Sequence, residues 1–232
     1  MSDNKISVLP EIIEPISNAI HQNLPETEKQ TDGALSTVVG FFNNVVLYPI
    51  KKANITFKYK LEDFENDLKE KIKNIPEDNL QIPPTMIAGP LLEALRYTYD
   101  EENLREMYEN LLASAMDTRN ISKVFPSFVD DIKQMSPLDA KILKVLSESV
   151  QLRCANIMFI LNNTEKFYIN GMPNYFVIEL LPFGDPFEIS ASLKNLERLG
   201  LIDIVSRGLL GRNYDELKNH SYVLERFESY KS

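Results

Sequence analysis

One thiol, two imidazoles and a few carboxylate pairs are the side chains with which this chain could do covalent or metal chemistry. Cys154 is its one cysteine, and the histidines are His21 and His220. A zinc site wants about four Cys, His or carboxylate ligands at suitable spacing, and these three residues lie far apart in sequence. No metal site is expected. Cys154 sits among Leu152, Ala155, Ile157 and Met158, where a lone thiol reads as a small buried hydrophobe that keeps its proton. A serine nucleophile wants a strained turn such as G-x-S-x-G and a histidine nearby; neither is present. Neighbouring carboxylates at Glu101-Glu102 and Asp130-Asp131 point about 100° apart on a helix. They share a proton or metal poorly and read as solvated faces. The segment Gly208-Leu-Leu-Gly211 lacks the Lys-Ser that follows the glycines of a phosphate loop, and reads as a flexible loop. The expectation is a protein with no catalytic, cofactor-binding or metal-binding residue, no cofactor and no enzymatic activity.

Composition narrows the classes further. The chain has 232 residues, 44% hydrophobic and 25% charged, which is globular composition with room for a proper core. A single cysteine forbids an internal disulfide, and the opening MSDNKISVLPEIIEP has no basic region leading into an apolar stretch. No secretory signal is expected, and the cytoplasm is the expected compartment. The net charge of -9 opposes a broad grip on phosphate backbones, which runs on clustered Lys and Arg. The excess is uneven. Residues 1–135 carry 22 carboxylates against 14 cations, whereas residues 136–232 carry 12 against 11, so a nucleic-acid contact belongs to the second half if anywhere.

The elements that would position any site are mainly helical. Residues 1–33, broken by Pro10, Pro15 and Pro25, read as a loosely ordered arm. From Leu35 to Ile50 apolar residues recur at steps of three and four, and Pro49 should end or kink that helix. The stripe resumes at Ala53, Phe57, Leu61, Phe64, Leu68, Ile72 and Ile75 as a long amphipathic helix closed by Asn74 and Pro76. Residues 34–50 fall short of the roughly 20 apolar residues of a membrane span. The lysines from Lys51 to Lys60 keep peripheral membrane contact by residues 34–60 open as a lesser reading. TMIAGPLLEALRYT predicts another helix, kinked or restarted at Gly89-Pro90. Asp100 is the expected cap of the next, with Glu101 and Glu102 in its first turn. Its inward face is Leu104, Met107, Tyr108, Leu111, Leu112, Ala115 and Met116.

The densest punctuation lies in VFPSFVDDIKQMSPLDAKIL, residues 124 to 143. Pro126 suits a first helical position, with Phe128, Val129, Ile132 and Met135 facing inward. Ser136-Pro-Leu-Asp139 then fits a capping box that starts a new helix, through Leu138, Ile142, Leu143, Val145 and Leu146 to about Ser149. This joint divides a helical domain, 34–135, from a smaller α+β domain, 136–232. In the latter, ANIMFIL and YFVIELL read as strands about the turn-like pair Asn170-Gly171. EISASLKNLERLGLIDI reads as a helix through Ile189, Leu193, Leu196 and Leu199, stopped by Gly200 and followed by a strand, Leu201 to Val205. The tail offers Leu217, Val223, Leu224 and Phe227 to dock a last helix or two. Helix, helix, turn, strand resembles a winged-helix domain. As a nucleic-acid reader it would use Lys194, Arg198, Arg207 and Arg212. The charge of that second helix is balanced, so a protein-contact module is the preferred reading.

Three blocks, PLLEALRYTYDEENLREMYENLLASAMD, VFPSFVDDIKQMSPLDAKIL and SLKNLERLGLIDI, in this order and spacing resemble the bacterial abortive infection alpha family. VVGFFNNVVLYPIKKANITFKYKLEDFENDLKEKI extends the likeness to about residues 34 to 217. That family tends to show His before the Pro-Ser-Phe. Phe125 stands there in this chain, so no catalytic histidine carries over. The resemblance implies a part in phage resistance and no particular reaction. The expectation is thus a cytoplasmic, non-enzymatic protein acting through protein partners, with homo-oligomerisation left open and nucleic-acid or membrane action as alternatives.

Overall fold

Apolar residues three and four apart must share one side of a helix, and α1 (Ile55–Ile72) buries Phe64, Leu68 and Ile72 in that way. It begins the continuous part of a computed structural model, which describes residues 40, 55–148, 152–162, 167–169, 171–205 and 214–230. The expected arm, 1–33, lies outside the described residues. So does the expected helix over 34–50, except Gly40, which is helical. The protein is mainly helical, and its contacts divide it into two units, residues 1–134 and 135–232.

In unit 1, α2 (Thr85–Thr98) and α3 (Glu102–Ala115) follow α1, and α4 (Ser127–Lys133) closes the set. Helix α3 packs on α1 and α2, and α4 on α2 and α3. The core fills from Leu91, Leu92, Leu95, Leu104, Tyr108 and Leu112, all at most 2% exposed. Each of these leucines contributes about 1.5–3 kcal/mol by leaving water. The connection from α1 to α2 is sewn to the end of α3: Gln81 N donates to Met116 O at 2.8 Å and Thr118 N to Asn79 O at 2.9 Å.

Three expectations in this unit are corrected. Of the kink or restart expected at Gly89-Pro90, the restart does not occur; α2 runs through both. The missing proline amide deprives only the carbonyl of Met86, an exposed residue, while Leu91, Leu92, Ala94 and Leu95 anchor the next turns in the core. Asp100 does not cap α3. Glu101 holds the cap position, and Asp100 instead accepts from Lys60 Nζ on α1 at 2.5 and 2.6 Å. Phe128 does not face inward. Val129, Ile132 and Met135 do, whereas Phe128 is 37% exposed and meets Phe125 edge to face at 5.6 Å.

Residues 134–136 separate α4 from α5 (Pro137–Glu148), and the expected capping box forms at the start of α5. Ser136 N donates to Asp139 Oδ2 at 2.6 Å and Asp139 N donates to Ser136 Oγ at 3.1 Å. Then come the antiparallel strands β1 (Phe159–Asn162) and β2 (Phe167–Ile169), a 3-10 turn over Ile178–Phe183, and α6 (Pro186–Arg198). The unit ends with α7 (Asp215–Lys218) and α8 (Ser221–Ser229). It has two cores. Ile142, Val177, Leu180, Ile189, Leu193 and Leu196 join α5, the 3-10 turn and α6. Phe159, Met172, Phe176, Leu217 and Val223 join the strand region to the tail.

The expected strand YFVIELL is corrected. Only its start pairs, through a bridge between Phe176 and Ala155; from Ile178 the chain coils into the 3-10 turn. The expected reversal at Asn170-Gly171 is corrected too, because β1 and β2 are joined across 163–166. Residues 201–205 form no strand, and the rest of the expected wing, 206–213, lies outside the described residues. Leu224 is exposed while Val223 is buried. Gly200 ends α6 as expected, at φ 72°. There Gly200 N donates to Glu197 O at 2.9 Å and Leu201 N to Leu196 O at 3.1 Å, closing the helix end with the crossed pair of bonds that a left-handed residue permits.

Candidate functional site

Helix α6 divides its side chains between a core and a groove. Ile189, Leu193 and Leu196 turn into the core. Phe187, Ser190, Ala191 and Lys194, three and four apart, form one wall of a groove of about 1210 Å³ within unit 2. The sequence fixes where the helix begins: Asp185 Oδ1 accepts from Phe187 N at 2.8 Å, and Pro186 stands in the first turn, where its missing amide costs nothing. A second wall comes from the extended segment Cys154–Met158 and from Met172–Tyr175. Ala155 and Phe176 exchange both backbone hydrogen bonds, at 3.1 and 2.9 Å, and Tyr175 N donates to Ser190 Oγ at 3.1 Å, fastening that wall to α6. Ile204, Val205, Tyr214, Leu217 and Lys218 complete the lining.

Cys154 lies in this lining, half-buried. Burial pushes its thiol up to about 11, so the sulfur stays protonated and un-nucleophilic at neutral pH. Lys194 Nζ donates to Glu197 Oε2 at 2.6 Å, and that bond raises its affinity for the proton. Arg198 Nε and Nη2 donate to Asn195 Oδ1 at 3.1 and 2.8 Å. Asn195 Nδ2 in turn donates to Asp139 Oδ2 at 2.9 Å, linking α6 to the capping box of α5. Of the four cations read from the sequence, Lys194 and Arg198 share α6, one turn apart and each already engaged. Arg207 and Arg212 lie outside the described residues, as does Gly208–Gly211.

Elsewhere, ionisable groups tie helices together. Glu109 on α3 is 4% exposed, 3.5 Å from both Lys71 and Arg105. Burial raises its pKa, and the two cations oppose that rise. Tyr108, buried beside it, has a hydroxyl without a partner among the described residues; burial pushes its pKa up to about 12. Asp117, buried where α3 ends, accepts from Arg119 Nε and Nη2 and from Asn120 Nδ2; the Arg119 bonds lower its pKa. Of the carboxylate pairs, Asp130, Glu101 and Glu102 are exposed and Asp131 is half-buried. Among the described residues no three His, Cys, Asp or Glu gather as a metal site. No helix of those residues is long and apolar enough to cross a membrane.

The groove was not read from the sequence. Its Met158, Met172, Tyr175 and Phe187 come from three separate segments, and only the apolar-poor face of α6 signalled that something other than core lies on that side.

Fold and site together define a mainly helical protein of two units, with an apolar groove in unit 2. The chain belongs to the family described as abortive infection alpha, which it matches over residues 56–232. No curated protein and no solved structure matches it.

Proposed function

We propose that this protein serves phage defence by binding another protein in the cytoplasm, without catalysing a reaction. Membership of the abortive infection alpha family carries the first part of this reading. The apolar groove of unit 2 supports the second, since exposed apolar side chains such as Met158 and Phe187 line it. We read unit 2 as winged-helix-like on the order α5, 3-10 turn, α6 around one core, serving here as a contact module. The balanced charge of α6, Lys194 and Arg198 against Glu188 and Glu197, weighs against duplex DNA as the partner.

Affinity capture of the tagged chain from infected and uninfected cells, alongside phage plating on deletion and wild-type strains, tests the reading. A specific partner protein, together with loss of phage resistance on deletion, is the expected result. Capture of nothing beyond the protein itself, with resistance unaffected by deletion, refutes it. Tight binding of duplex DNA at low salt that is lost in Lys194→Ala/Arg198→Ala would transfer the function to nucleic acid.

A further inference from the structure

We propose that the groove of unit 2 is a docking site for an acidic amphipathic segment of a partner protein, its apolar side chains lying along α6 and its carboxylates meeting the amines of Lys194 and Lys218. The proposal rests on the reading above only in taking a protein as the partner.

Charge is the first argument. The described lining holds two lysines and no carboxylate, in a chain whose net charge is -9. In a chain of that net charge, such a lining suits an acidic partner. The Lys194–Glu197 pair does not close the site. It is an exposed pair three residues apart, of a kind that contributes little, and an ammonium has three protons to donate.

Size and surface chemistry choose the class of partner. At about 1210 Å³ the groove exceeds the roughly 300–1,000 Å³ that enclose small ligands, which favours a stretch of polypeptide. Met158 is 53% exposed and Phe187 43%. A thioether and an aromatic ring left in water beside Ile157 and Val205 form the adaptable apolar bed on which amphipathic segments settle. Lys194 stands two turns along α6 from Phe187, so carboxylates spaced to match can reach the amine while apolar side chains fill the bed.

Displayed random dodecapeptides are selected on the full chain, and enriched peptides are synthesised and titrated by fluorescence anisotropy. The expected peptides interleave Asp or Glu with Leu, Ile, Phe or Met. Lys194→Glu/Lys218→Glu weakens them about tenfold, as two modest ion pairs would, and Ala191→Trp, which fills the groove from an exposed helical position, abolishes binding without changing the thermal melt. No enrichment, enrichment of basic or uncharged peptides, or equal binding to Ala191→Trp overturns the proposal. Oligodeoxythymidylate binding that Ala191→Trp blocks, or a dimer that the same substitution dissociates, assigns the groove to another occupant and overturns it too. The two readings fail separately: an infected-cell partner still captured by Ala191→Trp leaves the proposed function standing without the groove. Peptide binding with phage resistance intact in the Lys194→Glu/Lys218→Glu strain leaves the groove standing without that function.

Discussion

Removing the Asp139 carboxylate should be among the most damaging single changes in unit 2. Asp139 is 3% exposed, and its Oδ2 accepts from Ser136 N at 2.6 Å and Asn195 Nδ2 at 2.9 Å. One bond starts α5; the other ties α5 to α6. Hydrogen bonds to a carboxylate contribute about 1.5–3 kcal/mol each. Against this, Oδ1 has no partner among the described residues, so its removal relieves a desolvation cost of about 1–3 kcal/mol. The expected net for Asp139→Ala is a loss of about 2–3 kcal/mol, a large share of the 5–15 kcal/mol typical of a domain. Asp139→Asn keeps an acceptor at one position and places an unpaired donor at the other, for a loss of about 1 kcal/mol. Asn195→Ala loses about 1.5–3 kcal/mol, and in the double variant with Asp139→Ala this second loss should largely vanish, because the shared bond is already gone. Urea titration followed by far-UV circular dichroism reads the energies, and amide exchange at Ala140 reads whether the first turn of α5 has frayed. An Asp139→Ala protein within about 0.5 kcal/mol of the parent, or strict additivity of the two substitutions, would refute the reasoning.

Three further outcomes follow from the same geometry. A Cβ at Gly171 would lie 2.5 Å from Tyr230 Cε2 and 2.7 Å from Phe159 Cε2; Tyr230 can swing into solvent but buried Phe159 cannot, so Gly171→Ala should cost about 1–3 kcal/mol by overpacking, read as a lower Tm that Tyr230→Ala does not restore. Because the folded pKa of Glu109 lies above its ordinary value through burial, its contribution is fully present below the unfolded pKa and is lost as pH rises through the folded one. Glu109→Gln should therefore flatten that part of the Tm against pH curve and leave the neutral-pH Tm equal or higher. With the Cys154 thiol pushed up from 9.0 to about 11, native protein at pH 8 should carry about a hundredfold less thiolate than an ordinary cysteine. Its reaction with a thiol-selective disulfide reagent should be correspondingly slow until urea is added, and labelling at the denatured rate in native buffer contradicts the burial.

Local patterns made much of this protein legible in advance. Phe64, Leu68 and Ile72 declare α1 by spacing alone, and Ser136 with Asp139, three residues apart, declare the capping box because both partners lie within one turn. Gly200 declares the end of α6 because a left-handed residue there favours glycine. YFVIELL was misleading for a physical reason. A short apolar run carries no period to separate strand from helix, and Pro182 lacks the amide a ladder needs. The 3-10 turn also lets Val177 and Leu180 face α6 together. Phe128 misled because a seven-residue helix buries only a narrow stripe, filled by Val129 and Ile132.

What the chain determined by itself is everything whose cause is local: helices, caps, the break at residues 134–136, and the charge imbalance between its halves. What only the tertiary structure decided are the meetings of distant residues. Asn195 reaches Asp139 across 56 positions, Glu109 finds Lys71 on another helix, and five segments line an apolar groove with lysines and no described carboxylate. Such meetings depend on how side chains from separate elements share one volume, and spacing along a single segment holds no record of that.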